Sequence, residues 1–227
     1  MTSSRITNKK TQKLYFLYRK LHAAFGPQHW WPADSAFEVA VGAILTQNTN
    51  WGNVEKAIQN LKDNNVLEFT SLLRISDQKL ASLIRPAGYF NLKAKRLKNF
   101  VRFLSRSCHG DIKKLALRDA RQLRQALLGV NGIGPETADS ILLYALRKPV
   151  FVVDAYTKRI FTRHGFFREE AEYGHVQNLF MQNLKNEVQL FNEYHALLVK
   201  LGKDFCLKNK PKCDVCPLHA LQRRSNA

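Results

Sequence analysis

The chain has 227 residues and 45% hydrophobic content, enough for one compact unit or two small lobes sharing a core. Its 36 Lys and Arg against 18 Asp and Glu leave a formal charge of +18, which points to a polyanionic partner, above all nucleic acid. No stretch approaches the roughly 18 uninterrupted apolar residues of a membrane span, and the polar start, Met1 to Lys13, has no apolar signal core, so an intracellular protein is expected.

In chain order, Met1 to Lys10 reads as a basic arm. Lys13 to Phe25 follows as a helix with Leu14, Leu17, Leu21 and Ala24 on one face. Pro27 and Pro32 bound a loop that carries Trp30 and Trp31. Ser35 is placed to cap a helix over Ala36–Thr46, nearly apolar throughout and therefore central. The polar run Gln47-Asn48-Thr49-Asn50 ends it, and Asn53–Leu61 is helical again. Shorter helices are expected at Phe69–Leu73 and Asp77–Ile84, before the break Arg85-Pro86-Ala87-Gly88. Asn91–Ser107 is a strongly basic amphipathic helix, and Asp119–Leu128 leads into a glycine-rich turn. Helices then run over Ala155–Arg163, Tyr173–Leu184 and Asn192–Leu201. No strand alternation stands out, so the fold class is all-α.

The turn is Val130-Asn131-Gly132-Ile133-Gly134-Pro135-Glu136. Glycine permits a tight path between two helices, and Pro135 suits the first turn of the next helix, Thr137 to Leu146. Backbone N–H groups at Gly132, Ile133 and Gly134 then face outward and cradle a phosphate; the alternative is an ordinary helix–helix corner. Beyond it, the apolar run Pro149–Val153 delivers Asp154 to the start of a helix, 18 positions after Glu136. An aspartate there serves as an N-cap, as a catalytic carboxylate, or as both.

This pairing of hairpin and aspartate resembles the helix–hairpin–helix (HhH-GPD) superfamily of DNA glycosylases, endonuclease III-like, over roughly Trp30 to Cys216. Trp30-Trp31-Pro32, Leu45-Thr46-Gln47-Asn48-Thr49, Arg85-Pro86-x-Gly88 and Asn91-x-Lys93-Ala94-Lys95-Arg96-Leu97 are most similar to the monofunctional 3-methyladenine glycosylases. The resemblance implies two domains. One is a six-helix domain at 36–147 carrying the hairpin. The other is built from 1–35 and 148–227, with the hairpin and Asp154 lining the cleft. It implies a monomer acting on double-stranded DNA with a damaged base, in the cytoplasm or nucleoid. Asp154 becomes the catalytic carboxylate that stabilises an oxocarbenium-like sugar or activates water. Members that also cut the backbone carry a lysine, the imine-forming nucleophile, where this chain has Glu136. That departure implies a monofunctional enzyme leaving an abasic site.

The same resemblance assigns Trp30, Trp31 and Trp51 to a base pocket, although large aromatics equally fill cores. It makes Gln47 and Tyr89 wedges that fill the gap left by an extruded base. Lys93, Lys95, Arg96 and Lys98 become phosphate contacts, the alternative being a solvated basic face. Cys206-x6-Cys213-x2-Cys216 supplies three of the four cysteines of a [4Fe–4S] signature, and the fourth position is Gln222. A zinc site using His219, or a loop without metal, are the alternatives. Two other functions stand beside the alkylated-base glycosylase: a bifunctional endonuclease III-type glycosylase/lyase on oxidised pyrimidines, and a non-catalytic DNA-binding protein.

Overall fold

The computed structural model describes residues 2–31 and 33–219, with side chains from Lys9 onward. No strand occurs among the described residues, as the sequence predicts. Among the described residues there are eleven α-helices: α1 (Thr2–Phe25), α2 (Ala36–Leu45), α3 (Trp51–Asp63), α4 (Phe69–Arg74), α5 (Asp77–Leu83), α6 (Phe90–Cys108), α7 (Ala120–Leu128), α8 (Pro135–Ser140), α9 (Ala155–Arg163), α10 (Tyr173–Asn183) and α11 (Val188–Asp204). They fall into two compact units, Trp31–Lys148 and the described parts of 1–30 with 149–227.

In the first unit α2 is the central rod, with every residue from Phe37 to Leu45 buried. Ser35 Oγ accepts from the Glu38 N–H at 3.1 Å and fixes its start. The buried Glu38 carboxylate is met by Lys62 of α3 at 2.8 Å, which also reaches Asp34. Around α2 pack α3, α6, α8 and the segment after α8. That segment, Ile141–Ala145, is a π-helical turn rather than a continuation of α8. α6 buries Ala94, Leu97, Phe100, Val101 and Leu104 along one stripe, the 3.6-residue period seen in its sequence.

The second unit rests on an aromatic core. Phe151 stacks flat on Phe180 at 3.8 Å, and Phe191 and Tyr194 meet its edge. Tyr194 donates its buried hydroxyl to the Leu14 carbonyl at 2.9 Å, tying α11 to α1. Helices α9 and α11 cross closely at Gly202, where a Cβ would stand 2.4 Å from the Tyr156 ring.

Several boundaries differ from expectation, among them the start of α11 at Val188 rather than Asn192, and two have a visible physical reason. The segment read as a basic arm is the first part of α1. It has no Gly or Pro, and extending an existing helix costs far less than nucleating one. α3 begins at Trp51 because Asn50 Oδ1 accepts from the Asn53 N–H at 3.1 Å, a cap two residues earlier than the hydrophobic pattern indicates.

Candidate active site and nucleic-acid interface

The glycine-rich turn joins α7 to α8. Gly132 has φ +96° and lies against Arg96 of α6: a Cβ there would be 2.3 Å from Arg96 Cγ. Glycine is required twice over, by backbone conformation and by contact. Gly134 is exposed, and nothing crowds it within 4 Å. Ile133 departs from the predicted phosphate role, because its side chain is buried and its N–H donates to the Val130 carbonyl at 3.0 Å. Glu136 is exposed in the first turn of α8. The hairpin is braced inside by Arg124 of α7, whose guanidinium forks onto the fully buried Asp139 carboxylate of α8 at 2.6 and 3.0 Å.

Beside the turn, Gln47 is held rather than projecting. Its amide donates to Gly132 O at 3.0 Å and Thr137 Oγ1 at 2.9 Å, and accepts from Arg96. The wedge role predicted for it is therefore not carried by this conformation; the exposed residue next to it is Asn48, in left-handed conformation with φ +53°. Tyr89, the other predicted wedge, is 68% exposed with φ +45°. A non-glycine residue held there stores backbone strain.

Lys93 departs from expectation as well. It is buried, and its ammonium donates to Leu45 O at 2.8 Å and Ala87 O at 2.7 Å, so it is no surface phosphate contact. Burial, with Arg96 nearby adding to the effect, lowers its pKa to about 8. Lys98 is likewise buried against the carbonyls of Leu73 and Ile75. Of the basic residues predicted on this helix, Lys95 is the exposed one and Arg96 is half-buried. Helical periodicity separates these positions in hindsight: 93, 97, 100 and 104 share the buried stripe.

In the other unit Asp154 caps α9. One carboxylate oxygen accepts from the Thr157 N–H at 2.7 Å, and the second lies 3.5 Å from His195 Nε2 of α11. Burial alone would push this carboxyl up; the His195 ring and the Thr157 N–H and hydroxyl outweigh burial and hold it below the ordinary aspartate value. The carboxylate is thus ionised at neutral pH, oriented, and 9% exposed. Trp30 packs on His195 with ring centres 5.8 Å apart. The sequence reading missed His195, which sits in an apolar helix like an ordinary core residue and has no motif around it.

The tryptophans divide between the units. Trp31 meets Trp51 edge-on at 4.8 Å and Tyr144 at 5.1 Å, and its ring presses on α2 where Gly42 leaves room. Trp51 donates its indole N–H to Glu55 at 2.6 Å. Trp31 and Trp51, both half-buried, form an aromatic group with the buried Tyr144 next to α2; Tyr144 was not anticipated, because it lies in the π-helical turn that the sequence does not announce. Pro32, part of the predicted loop motif, lies outside the described residues.

Hairpin, capping aspartate and order of elements match one family profile, the HhH-GPD superfamily base excision DNA repair protein, over residues 41–186. The chain belongs to the HhH-GPD superfamily. It is a DNA glycosylase of that base excision repair family. A Methanocaldococcus jannaschii protein named as a candidate DNA repair glycosylase is 50% identical over 211 residues, covering 92% of this chain and 95% of its own. The structure of a Helicobacter pylori 3-methyladenine DNA glycosylase bound to 1,N6-ethenoadenine is similar with a TM-score of 0.72 and 30% identity, covering 87% of this chain and 97% of that one. A trapped endonuclease III–DNA covalent intermediate shares the fold, with a TM-score of 0.80, 20% identity, and 95% and 98% of the two chains covered.

In this HhH-GPD chain the cysteine loop is anchored by arginines. From α9, Arg159 donates to the carbonyls of Cys206 and Gly202 at 2.8 and 2.9 Å, and Arg163 to those of Leu207 and Lys208 at 2.6 and 2.7 Å. Arg163 also approaches Cys206 Sγ at 3.3 Å, and the Leu218 N–H approaches Cys216 Sγ at 3.4 Å. His219 Nδ1 faces the Cys213 carbonyl at 2.9 Å. Among the described residues no three Cys, His, Asp or Glu side chains gather as a metal-binding group, and Gln222 lies outside them. The expected [4Fe–4S] cluster is therefore not shown by the described residues, in which the arginines tie the cysteine loop to α9. No helix among the described residues is long and apolar enough to cross a membrane.

Proposed function

We propose that this chain is a monofunctional DNA N-glycosylase that extrudes a damaged base from double-stranded DNA and hydrolyses its glycosidic bond, leaving an abasic site. The observation that carries this reading is an ionised Asp154 held on both oxygens, in a chain whose residue at the lyase lysine position is the carboxylate Glu136.

The chemistry follows from the carboxylate. As the bond from C1′ to the base nitrogen lengthens, its electron pair leaves with the base and positive charge grows on the sugar. A fixed anion stabilises that charge before and during the step without having to reorganise. Water then adds at C1′, and its proton passes to Asp154 or onward to the departed base. No imine forms, because no amine occupies the hairpin position. His195 restrains the second carboxylate oxygen, leaving Asp154 one orientation. Gly134 and Lys95 hold backbone phosphates, and Tyr89 enters the duplex as the base leaves.

Alkylated purines, 3-methyladenine above all, are the proposed substrates. Trp31 and Trp51 offer flat apolar surface, with the buried Tyr144 packed against Trp31, and a cationic alkylated base gains roughly 2 kcal/mol from a desolvated cation–π contact. Such a base also leaves without a proton, which suits a site whose carboxyl is ionised. The 30% identity to a 3-methyladenine glycosylase supports the same class.

The test is an excision assay with duplexes carrying 3-methyladenine, 1,N6-ethenoadenine, thymine glycol, or uracil or thymine opposite guanine, with products separated before and after alkali. Release of 3-methyladenine with strand breaks only after alkali, and no borohydride-trapped adduct, is the expected result. Efficient trapping on thymine glycol overturns it in favour of the bifunctional alternative. Preference for uracil or thymine keeps the hydrolytic mechanism and removes the alkylated substrate. No excision of any base leaves the DNA-binding alternative.

A further inference from the structure

Two residues expected to bind phosphate, Lys93 and Arg96, are turned to other work, and their partners coincide with the parts of this unit expected to meet DNA. They stand three positions apart on α6, one turn along the same face. The Lys93 ammonium lies where two short-range negative ends meet: Leu45 is the last residue of α2, and Ala87 the last of the 3-10 turn Arg85–Ala87. Carbonyls at helix ends lack intrahelical donors and attract a cation. One and three residues beyond these anchored carbonyls the chain reaches Gly88 and Asn48. Tyr89 follows Gly88, and both Asn48 and Tyr89 are exposed in left-handed backbone. Arg96 continues the brace. Its guanidinium holds Gln47, Gln47 holds Gly132 and Thr137, and the Arg96 stem fills the space under Gly132.

Three turns are thereby fixed to one helix face: the turn after α2, the turn bearing Tyr89, and the hairpin turn. Burying an ammonium is costly, and the cost persists here as a pKa lowered to about 8. A methionine would fill the same volume without that cost. It would not hold two carbonyls at one point.

We propose that Lys93 and Arg96 are positioning residues for base extrusion, fixing the register of the three turns so that Tyr89 and Asn48, rather than Gln47, enter the duplex while the hairpin holds the backbone. The inference rests on the DNA-glycosylase reading above but on none of its substrate or hydrolysis steps. It explains why the first of these two basic residues is buried and why Gln47 is immobilised.

The experiment follows insertion directly, independent of chemistry. The probe is a duplex with a tetrahydrofuran abasic analogue and 2-aminopurine opposite it, whose fluorescence rises when the gap is entered and its stacking is lost. Full-length wild type at saturation is expected to give a large rise. Lys93→Met should give a several-fold smaller rise at saturation, with unchanged affinity for undamaged duplex and an unchanged salt dependence of that affinity. Tyr89→Ala should give a similarly reduced rise at saturation, and adding Lys93→Met to it should reduce the rise little further, because both act at one step. Arg96→Lys, at a half-buried position, carries the same test should Lys93→Met fail to fold. An undiminished rise in the folded variants overturns the proposal. So does a salt dependence weakened by about one phosphate contact in Lys93→Met, which would make Lys93 an ordinary phosphate ligand. No rise with wild type overturns the insertion reading itself, while leaving glycosylase activity to the excision assay.

Discussion

Asp154 divides its two oxygens between two duties, one capping α9 and the other facing His195. Asp154→Asn keeps an acceptor for the Thr157 N–H but removes the charge, so base release should fall by at least about a hundredfold while DNA affinity is kept; single-turnover excision and a binding titration check both. The same residue predicts an acid-sensitive stability term. Its folded pKa is depressed, so the carboxylate stabilises the fold above its unfolded value near 4, and that contribution is lost as pH falls through the folded value. The difference in Tm between wild type and Asp154→Asn should therefore be constant near neutrality and shrink below about pH 4. A gap that widens in acid would contradict the sign. At the proposed pocket, Trp51→Ala should reduce excision of 3-methyladenine more than that of its neutral 3-deaza analogue, because the larger loss is the cation–π contact.

Among the elements, the hairpin depends on an internal ion pair as much as on its glycines. Arg124→Ala takes the guanidinium fork from the fully buried Asp139 carboxylate, and breaking a buried ion pair costs about 3 kcal/mol. Chemical denaturation should register it as a lower midpoint, whereas an unchanged midpoint would mean that the fork does not stabilise the hairpin. Gly132→Ala meets both the positive φ and the Arg96 stem, so it should loosen the hairpin and weaken DNA binding; Gly134→Ala, in extended backbone with open space around it, should fold normally. At this scale the helices were legible in the sequence from their apolar period, and Ser35 and Asn50 show how caps then set the starts. The π-helical turn at Ile141–Ala145 was not legible, since its composition is that of an ordinary buried helix and only packing against α2 selects it.

For the whole molecule the formal charge of +18 implies binding to undamaged duplex that weakens steeply with salt. Lys95→Ala should lower the slope of log affinity against log salt by about 0.9, the share of one phosphate contact. A set of affinities measured across salt concentrations decides this, and an unchanged slope would place Lys95 off the DNA.

What the sequence determined by itself was local or ordered along the chain: the all-helical class, the glycine turn, and the aspartate that follows it at a fixed interval. These need only backbone chemistry and hydrophobic period, both written in neighbouring residues. What the tertiary structure decided was the fate of each polar side chain. Lys93 and Lys95 are chemically identical and two positions apart, yet one is buried between carbonyls from two other segments and the other meets water. His195 becomes part of the site only because α11 brings it to Asp154, 41 positions earlier in the chain. Charge and hydrogen-bonding capacity belong to the residue, but the partner that spends them comes from a distant segment, and only packing brings the two together.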